Sequence, residues 1–325
     1  MKEKESGKTS EPDIYKRINK SIEIPLQMIR AIINGLSQRK YQYVVKQLTE
    51  SFGLSQSVVS RKFRKYAEKV LKDFMERDLS VYKFVAIIID GKYLSKEQIV
   101  HAVGITSRGD KIALGFIQTT TENGEAIKGL LKNLIDRNFG FNEGILVVCD
   151  GSKGILKGVD EVFGENGVIQ RCQWHKRENV VSYLPDILQK GYKVKHRNAY
   201  ALTEYDKAKV ELQRLAEELG RINPSAERSL LEGLDETLTL HRLGLKAELG
   251  ESLSTTNIIE SFNSQLESKS RNVKRWRPGK MRSHWVCLSL LEIEKNARKV
   301  RHYKKLYLLR IALAKVSNSQ VVKYA

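Results

Sequence analysis

Two runs along the chain are apolar at every position, and each ends in an acid: Phe84-Val85-Ala86-Ile87-Ile88-Ile89-Asp90-Gly91 and Ile145-Leu146-Val147-Val148-Cys149-Asp150-Gly151. A continuous, largely β-branched run predicts a strand buried on both faces, at the centre of a sheet. Between them, residues 98–106 and 111–120 read as two further strands. They are separated by Ser107-Arg108-Gly109-Asp110, a turn sequence that makes a hairpin meander with the first strand. Residues 125–139 switch to helical spacing, with Ile127, Leu130, Leu131, Leu134 and Ile135 on one face. Upstream, Pro25 opens a helix with Leu26, Ile29, Ile33 and Leu36 in register. Next come Tyr41 to Glu50, a Ser51-Phe52-Gly53-Leu54 break, and a longer helix from near Ser55 with Val58, Val59, Phe63 and Val70 inward. Downstream, a short strand at 168–171 runs into a helix, and residues 206–219 and 226–240 are charged, leucine-rich and helical in period.

Three antiparallel strands, a helix, and a fourth strand laid parallel beside the first is the ribonuclease H-like order, and the helix supplies the crossover that a parallel neighbour requires. The expectation is therefore an α/β chain with a ribonuclease H-like mixed sheet. In that order Asp90 and Asp150 become neighbours. Two ionised carboxylates ~4 Å apart repel by roughly 4 kcal/mol at an effective dielectric near 20, so the pair needs a cation or a proton. A divalent-metal site answers that need. The competing reading of each Asp-Gly is an ordinary turn after a strand.

A third acid comes from Thr255-Thr256-Asn257-Ile258-Ile259-Glu260-Ser261-Phe262-Asn263. This reads as a helix start with Ile259, Phe262 and Leu266 inward and with Glu260, Asn263 and Glu267 on another face. The alternative is structural: Asn257 as N-cap and Glu260 three residues on form a capping-box-like pair. The hundred residues before this helix are too many for a loop, so residues 177–253 are expected to be an all-helical insertion.

Charge indicates the partner. The net +19 divides into about +7 over residues 1–80, about −1 over 81–260 and about +13 over the remainder, so a near-neutral core lies between two basic ends. That distribution suits a polyanion, foremost nucleic acid. The two N-terminal helices resemble a helix-turn-helix, with Gln56, Ser57, Ser60, Arg61 and Arg64 near the start of the second helix facing bases or phosphates. A second basic stretch, Lys269, Arg271, Lys274, Arg275, Arg277 and Lys280 around Trp276, reads as a backbone clamp whose indole stacks on an unpaired base. Three widely spaced cysteines give no disulfide framework, and no run reaches the ~20 apolar residues of a membrane span, so a cytoplasmic, nucleoid-associated protein is expected. Cys172-x-x-His175 has zinc-ligand spacing but is half a site. His284-x-x-Cys287 would complete a four-ligand zinc, unless Cys287 is an ordinary buried cysteine.

Three strings carry a family likeness: Arg171-Cys172-Gln173-Trp174-His175-Lys176-Arg177-Glu178-Asn179, the stretch from Glu236 to Gly244, and Thr255 to Asn263. Together, over roughly residues 80–310, they closely resemble bacterial and archaeal insertion-sequence transposases of the Mutator-like family. The resemblance implies an Asp-Asp-Glu transposase with Asp90, Asp150 and Glu260 in the acidic positions and Cys172 with His175 in an accessory one. It also implies two Mg²⁺ ions per site, with Mn²⁺ as a substitute, acting on double-stranded DNA at element ends and target. At least a homodimer is implied, because two ends are synapsed. Family members commonly carry a basic residue seven positions after the glutamate, where this chain has Glu267, with Lys269 and Arg271 just beyond. The organisation expected is an arm (1–20), a DNA-binding helical region (21–79), the first part of the core (80–176), the insertion (177–253) and the last part of the core with basic helices (254–325). The same sequence features also suit a non-catalytic DNA-binding protein or a nuclease of the same fold that cuts without joining.

Overall fold

The structure is a computed structural model and describes residues 56–94, 97–119, 123–271, 273, 276 and 279–321. The first of the two helices of the expected helix-turn-helix lies outside these residues. The second is present as α1, Gln56–Met75, followed by β1 (Phe84–Leu94), β2 (Glu97–Thr106), β3 (Lys111–Thr119), α2 (Gly124–Asp136), β4 (Ile145–Cys149), α3 (Lys153–Phe163) and β5 (Gly167–Arg171). The five strands make one mixed sheet in the order β3-β2-β1-β4-β5. β1, β2 and β3 are antiparallel in sequence, whereas β4 is parallel to β1 and β5 parallel to β4. The expected meander and the expected parallel fourth strand are both found.

Strand parity decides which residues face which layer. On one face Ile87, Ile89, Val147 and Cys149 pack against Ile127, Leu130, Leu131 and Leu134 of α2 and against α3. On the other, Ala86, Ile88, Leu146, Val148 and Val168 meet the C-terminal helices α11 (Asn257–Ser270), α12 (Met281–Asn296) and α13 (Leu306–Val321). Asp90 and Asp150 follow the even-numbered residues of their strands, so parity directs both toward the face that α11 covers. The β1/β4 register of Ala86 with Leu146, Ile87 with Val147 and Ile88 with Val148, continued by two residues, sets Asp150 level with Asp90.

Between β5 and α11 the chain is helical throughout: α4 (Gln173–Val181), α5 (Asp186–Ala201), α6 (Tyr205–Gly220), α7 (Pro224–Leu231), α8 (Leu234–Thr237), α9 (Thr239–Arg242) and α10 (Lys246–Leu253). The single helix expected over 226–240 is broken at Gly233, whose φ of +63° is left-handed and ends α7. Val180, Leu184, Tyr200, Leu212, Leu215, Leu219, Leu230 and Leu238 give this segment a core of its own. It is fastened to the sheet by buried polar contacts: Gln170 Nε2 donates to the Thr237 carbonyl (2.8 Å), Leu240 N–H donates to Gln170 Oε1 (3.0 Å), and the Thr239 hydroxyl donates to the Ile169 carbonyl (2.6 Å). Among the described residues, no helix is long and apolar enough to cross a membrane.

Candidate active site

The two aspartates reach the sheet edge differently. β1 does not end at Asp90: Gly91 still pairs with Val100 and the strand runs on to Leu94, so the first Asp-Gly is no turn. Asp150, by contrast, is the first residue past β4. Gly151 then turns away with φ +90°, and the Ser152 N–H donates to Asp150 Oδ1 at 2.9 Å. Gly151 is required twice over. Its φ is left-handed, and a Cβ there would stand 2.8 Å from Cδ of Arg171. That arginine is 6% exposed and is held from the helical segment by Glu232 at 2.8 Å and by Glu236.

Asp90 is buried, and α11 holds it. Asn263 Nδ2 donates to Asp90 Oδ2 at 2.9 Å, while Asn263 Oδ1 meets Nε2 of the fully buried His101 at 2.7 Å. Burial lowers the His101 pKa to about 4, so its ring is neutral and donates through Nε2. The Asn263 amide is thereby oriented, and one oxygen of Asp90 is fixed. Burial is also the main reason the Asp90 carboxyl is pushed up to about 7. The charge of His175 opposes the rise, and the charges of Asp150 and then Glu260 add to it. Both other carboxylates therefore act on Asp90 through space.

Glu260 lies in the first turn of α11 with its side chain 37% exposed. The expected capping box does not form. Thr256, not Asn257, occupies the cap position and makes no side-chain bond to the helix backbone. Instead the Thr256 hydroxyl donates to Glu260 Oε1 at 2.9 Å and also lies 3.4 Å from Cys172 Sγ and 3.3 Å from His175 Nδ1. Cys172 caps α4, and its sulfur accepts from the N–H of His175 and of Thr256. Burial alone would depress the His175 pKa. The hydrogen bond and charge of Cys172, then the charges of Asp90 and Glu260, lift it to about 9.

Residues 11–293 match the family model described as "Transposase, Mutator family". The chain belongs to that family. It is 27% identical over 249 residues to the transposase for insertion sequence element IS6120 of Mycolicibacterium smegmatis, covering 74% of this chain and 75% of that protein. It is 24% identical over 275 residues to the transposase for insertion sequence element IS256 in transposon Tn4001 of Staphylococcus aureus, covering 81% and 68%. A Lactococcus lactis transposase for insertion sequence element IS905 is 27% identical over 223 residues, covering 64% and 53%.

Other expected site residues of this Mutator-family chain fall in several places. Arg61 and Arg64 are exposed on α1, which also contains Gln56, Ser57 and Ser60. Lys274, Arg275 and Arg277 lie outside the described residues. Trp276 is half-buried, its ring edge-on to Trp285 at 6.4 Å and beneath Arg282 at 5.8 Å. Arg271 is exposed, Lys269 half-buried, and Lys280 pairs with Glu68 at 2.8 Å. Glu267 reaches Lys92 of β1 at 2.8 Å. The four-ligand zinc is not assembled: Cys287 is buried in α12 with its sulfur 3.8 Å from the Val70 carbonyl. Among the described residues, the group whose metal-type donors lie within 4.8 Å of one another is Cys172, His175 and Glu260.

Sequence reasoning missed Asn263, His101 and Thr256 as partners of the acids. The available signals were His101 standing alone in the apolar run Ile99-Val100-His101-Ala102-Val103, and Thr256 and Asn263 lying four residues before and three after Glu260. Helical spacing puts those three residues on one side of α11.

Proposed function

We propose that this protein is a metal-dependent DNA transposase that cleaves insertion-sequence ends and joins them to target DNA, with Asp90, Asp150 and Glu260 as its catalytic acids. The observation that carries the reading is the position of the acids: Asp90 in β1, Asp150 just past the end of the adjacent parallel β4, and Glu260 on the helix over the same sheet face. The strand order, with a helical crossover before the parallel β4, supports a ribonuclease H-like core interrupted by the helical segment.

The acids suit a hard cation. Burial and the charges of Asp150 and Glu260 raise the proton affinity of Asp90, and the all-oxygen donor set of the three acids matches Mg²⁺, with Mn²⁺ as a substitute. When bound, a pair of such ions would activate water or a DNA 3′-hydroxyl and stabilise the leaving oxygen in an in-line displacement at phosphorus. The chain's own residues prepare the site. Asn263 fixes one oxygen of Asp90, the Ser152 N–H one oxygen of Asp150, and Thr256 one oxygen of Glu260, so that these three side chains would hold the ions from fixed positions. Basic residues outside the acids, Arg61 and Arg64 on α1 and Arg271 beyond α11, would hold DNA phosphates. Two ends must be brought together, which calls for at least a dimer.

The test is strand transfer with labelled element ends and a plasmid target. Joined products that require Mg²⁺ or Mn²⁺, and that vanish in Asp90→Asn, Asp150→Asn and Glu260→Gln while binding persists, are the expected result. Cleavage without joining would reassign the protein as a nuclease, and metal-independent binding alone as a DNA-binding protein. Wild-type joining by any one variant would remove that residue from the site.

A further inference from the structure

The Cys172, His175 and Glu260 cluster is not explained by a magnesium centre. Thiolate and imidazole are poor ligands for Mg²⁺ and good ones for zinc-class ions. Their donor atoms, with a carboxylate oxygen of Glu260, lie within 4.8 Å of one another, and His175 Nε2 stands 3.9 Å from Glu260 Oε1. All three side chains touch a single atom, the Thr256 hydroxyl. That hydroxyl has one proton to give, whereas the Cys172 sulfur and the Glu260 carboxylate are both acceptors, so one is left without it. The donors thus converge on a point where a cation would satisfy more of them than the hydroxyl does. The cluster is also held by the fold: Cys172 caps α4, the Gln173 N–H donates to the Ser254 carbonyl at 3.0 Å, and the Thr256 N–H ties the start of α11 to the same sulfur. The site is reachable, since the side chains of His175 and Glu260 are 26% and 37% exposed.

We propose that Cys172, His175 and Glu260 form a three-ligand site for Zn²⁺ or a similar borderline-soft cation, with its fourth position open. Three protein ligands and one exchangeable position is a zinc arrangement associated with reactive rather than closed structural sites. Glu260 belongs to both sites, so an ion bound here withdraws it from the magnesium centre. Zinc is therefore an inhibitor of strand transfer, and this regulatory consequence, unlike the binding itself, rests on the proposed function.

The experiment uses the full chain without DNA or magnesium. Co²⁺ is titrated in while its visible bands and the near-ultraviolet thiolate-to-metal charge-transfer band are followed. The expected result is a one-equivalent transition with a charge-transfer band. That band should be bleached by Zn²⁺, which follows from the higher affinity of zinc in such sites, and should persist in millimolar Mg²⁺. Cys172→Ala should lose the band. His175→Ala and Glu260→Gln should keep it but weaken Co²⁺ binding by at least the roughly 10–100-fold that loss of even an outer partner costs. Circular dichroism checks that each variant is folded. Cys149→Ala and Cys287→Ala, which change thiols outside the donor cluster, should leave the band intact. No charge-transfer band, or one that survives Cys172→Ala, overturns the site. A clear cobalt site in a protein that never joins DNA would instead sink the transposase reading while leaving this site standing. Strand transfer indifferent to stoichiometric zinc would overturn the inhibitory role.

Discussion

Asn263 donates its side-chain N–H to Asp90 at 2.9 Å and accepts from the buried His101 at 2.7 Å, so a residue one turn beyond Glu260 clamps an acid 173 positions earlier in the chain. The contact joins α11 to β1. Asn263→Ala should leave His101 with neither ring nitrogen partnered, because its Nδ1 already has none. A loss of about 1–3 kcal/mol in urea unfolding is expected, together with a rise in the Mg²⁺ concentration needed for half-maximal strand transfer. If stability and metal requirement both stay at wild-type values, the clamp is not formed in solution.

Asp90→Asn should abolish joining and yet stabilise the metal-free protein. The folded carboxyl is held at about 7 against an ordinary 3.8, so the native state binds the proton more tightly than the unfolded chain. Stability contributed by that proton is present below about pH 4 and is lost as pH rises toward 7. The variant, which keeps an acceptor for Asn263, escapes this loss. Its advantage should grow between pH 4 and 7, level off above, and reach at most about 4 kcal/mol at 1.36 kcal/mol per unit. Paired urea titrations in EDTA across that range measure it. A pH-independent difference would contradict the burial of Asp90.

Gly151→Ala should be costly although it adds one methyl group. A left-handed residue with a Cβ costs roughly 1–2 kcal/mol, and the new atom collides with Arg171, which cannot retreat from Glu232 and Glu236. The turn that positions Asp150 would shift as well. We expect a lower urea midpoint and weaker strand transfer. A midpoint unchanged from wild type would show that the turn accommodates the side chain.

Glu267 lies seven positions beyond Glu260 on α11, and its bond to Lys92 is largely exposed. Such surface pairs contribute about 0–1 kcal/mol, so Glu267→Arg should barely alter stability. It should tighten DNA binding and steepen the dependence of affinity on salt by roughly one unit of log slope. A flat response in fluorescence anisotropy at several salt concentrations would place α11 away from the phosphates.

The sequence alone determined the sheet and its two aspartates. Runs apolar and β-branched at nearly every position favour central strands, where every residue has a neighbour layer to meet, and the turn and crossover lengths favoured one strand order. Helical spacing likewise revealed α2 and the buried stripe of α11. Tertiary structure decided what those elements present to each other. Asp90-Gly91 reads as a turn by composition, but pairing with β2 carries the strand past it. Asn257 and Glu260 read as a capping box, but Cys172 and His175 arrive from another element and draw Thr256 and Glu260 into side-chain bonds. Asn263 reads only as a polar residue on the face of Glu260, but docking of α11 on the sheet buries it between Asp90 and His101. Periodicity registers the face on which a residue lies; it carries no information about the partner that a distant segment brings to that face, and the hydrogen bonds that join separate elements at this site span 81 to 173 positions of chain.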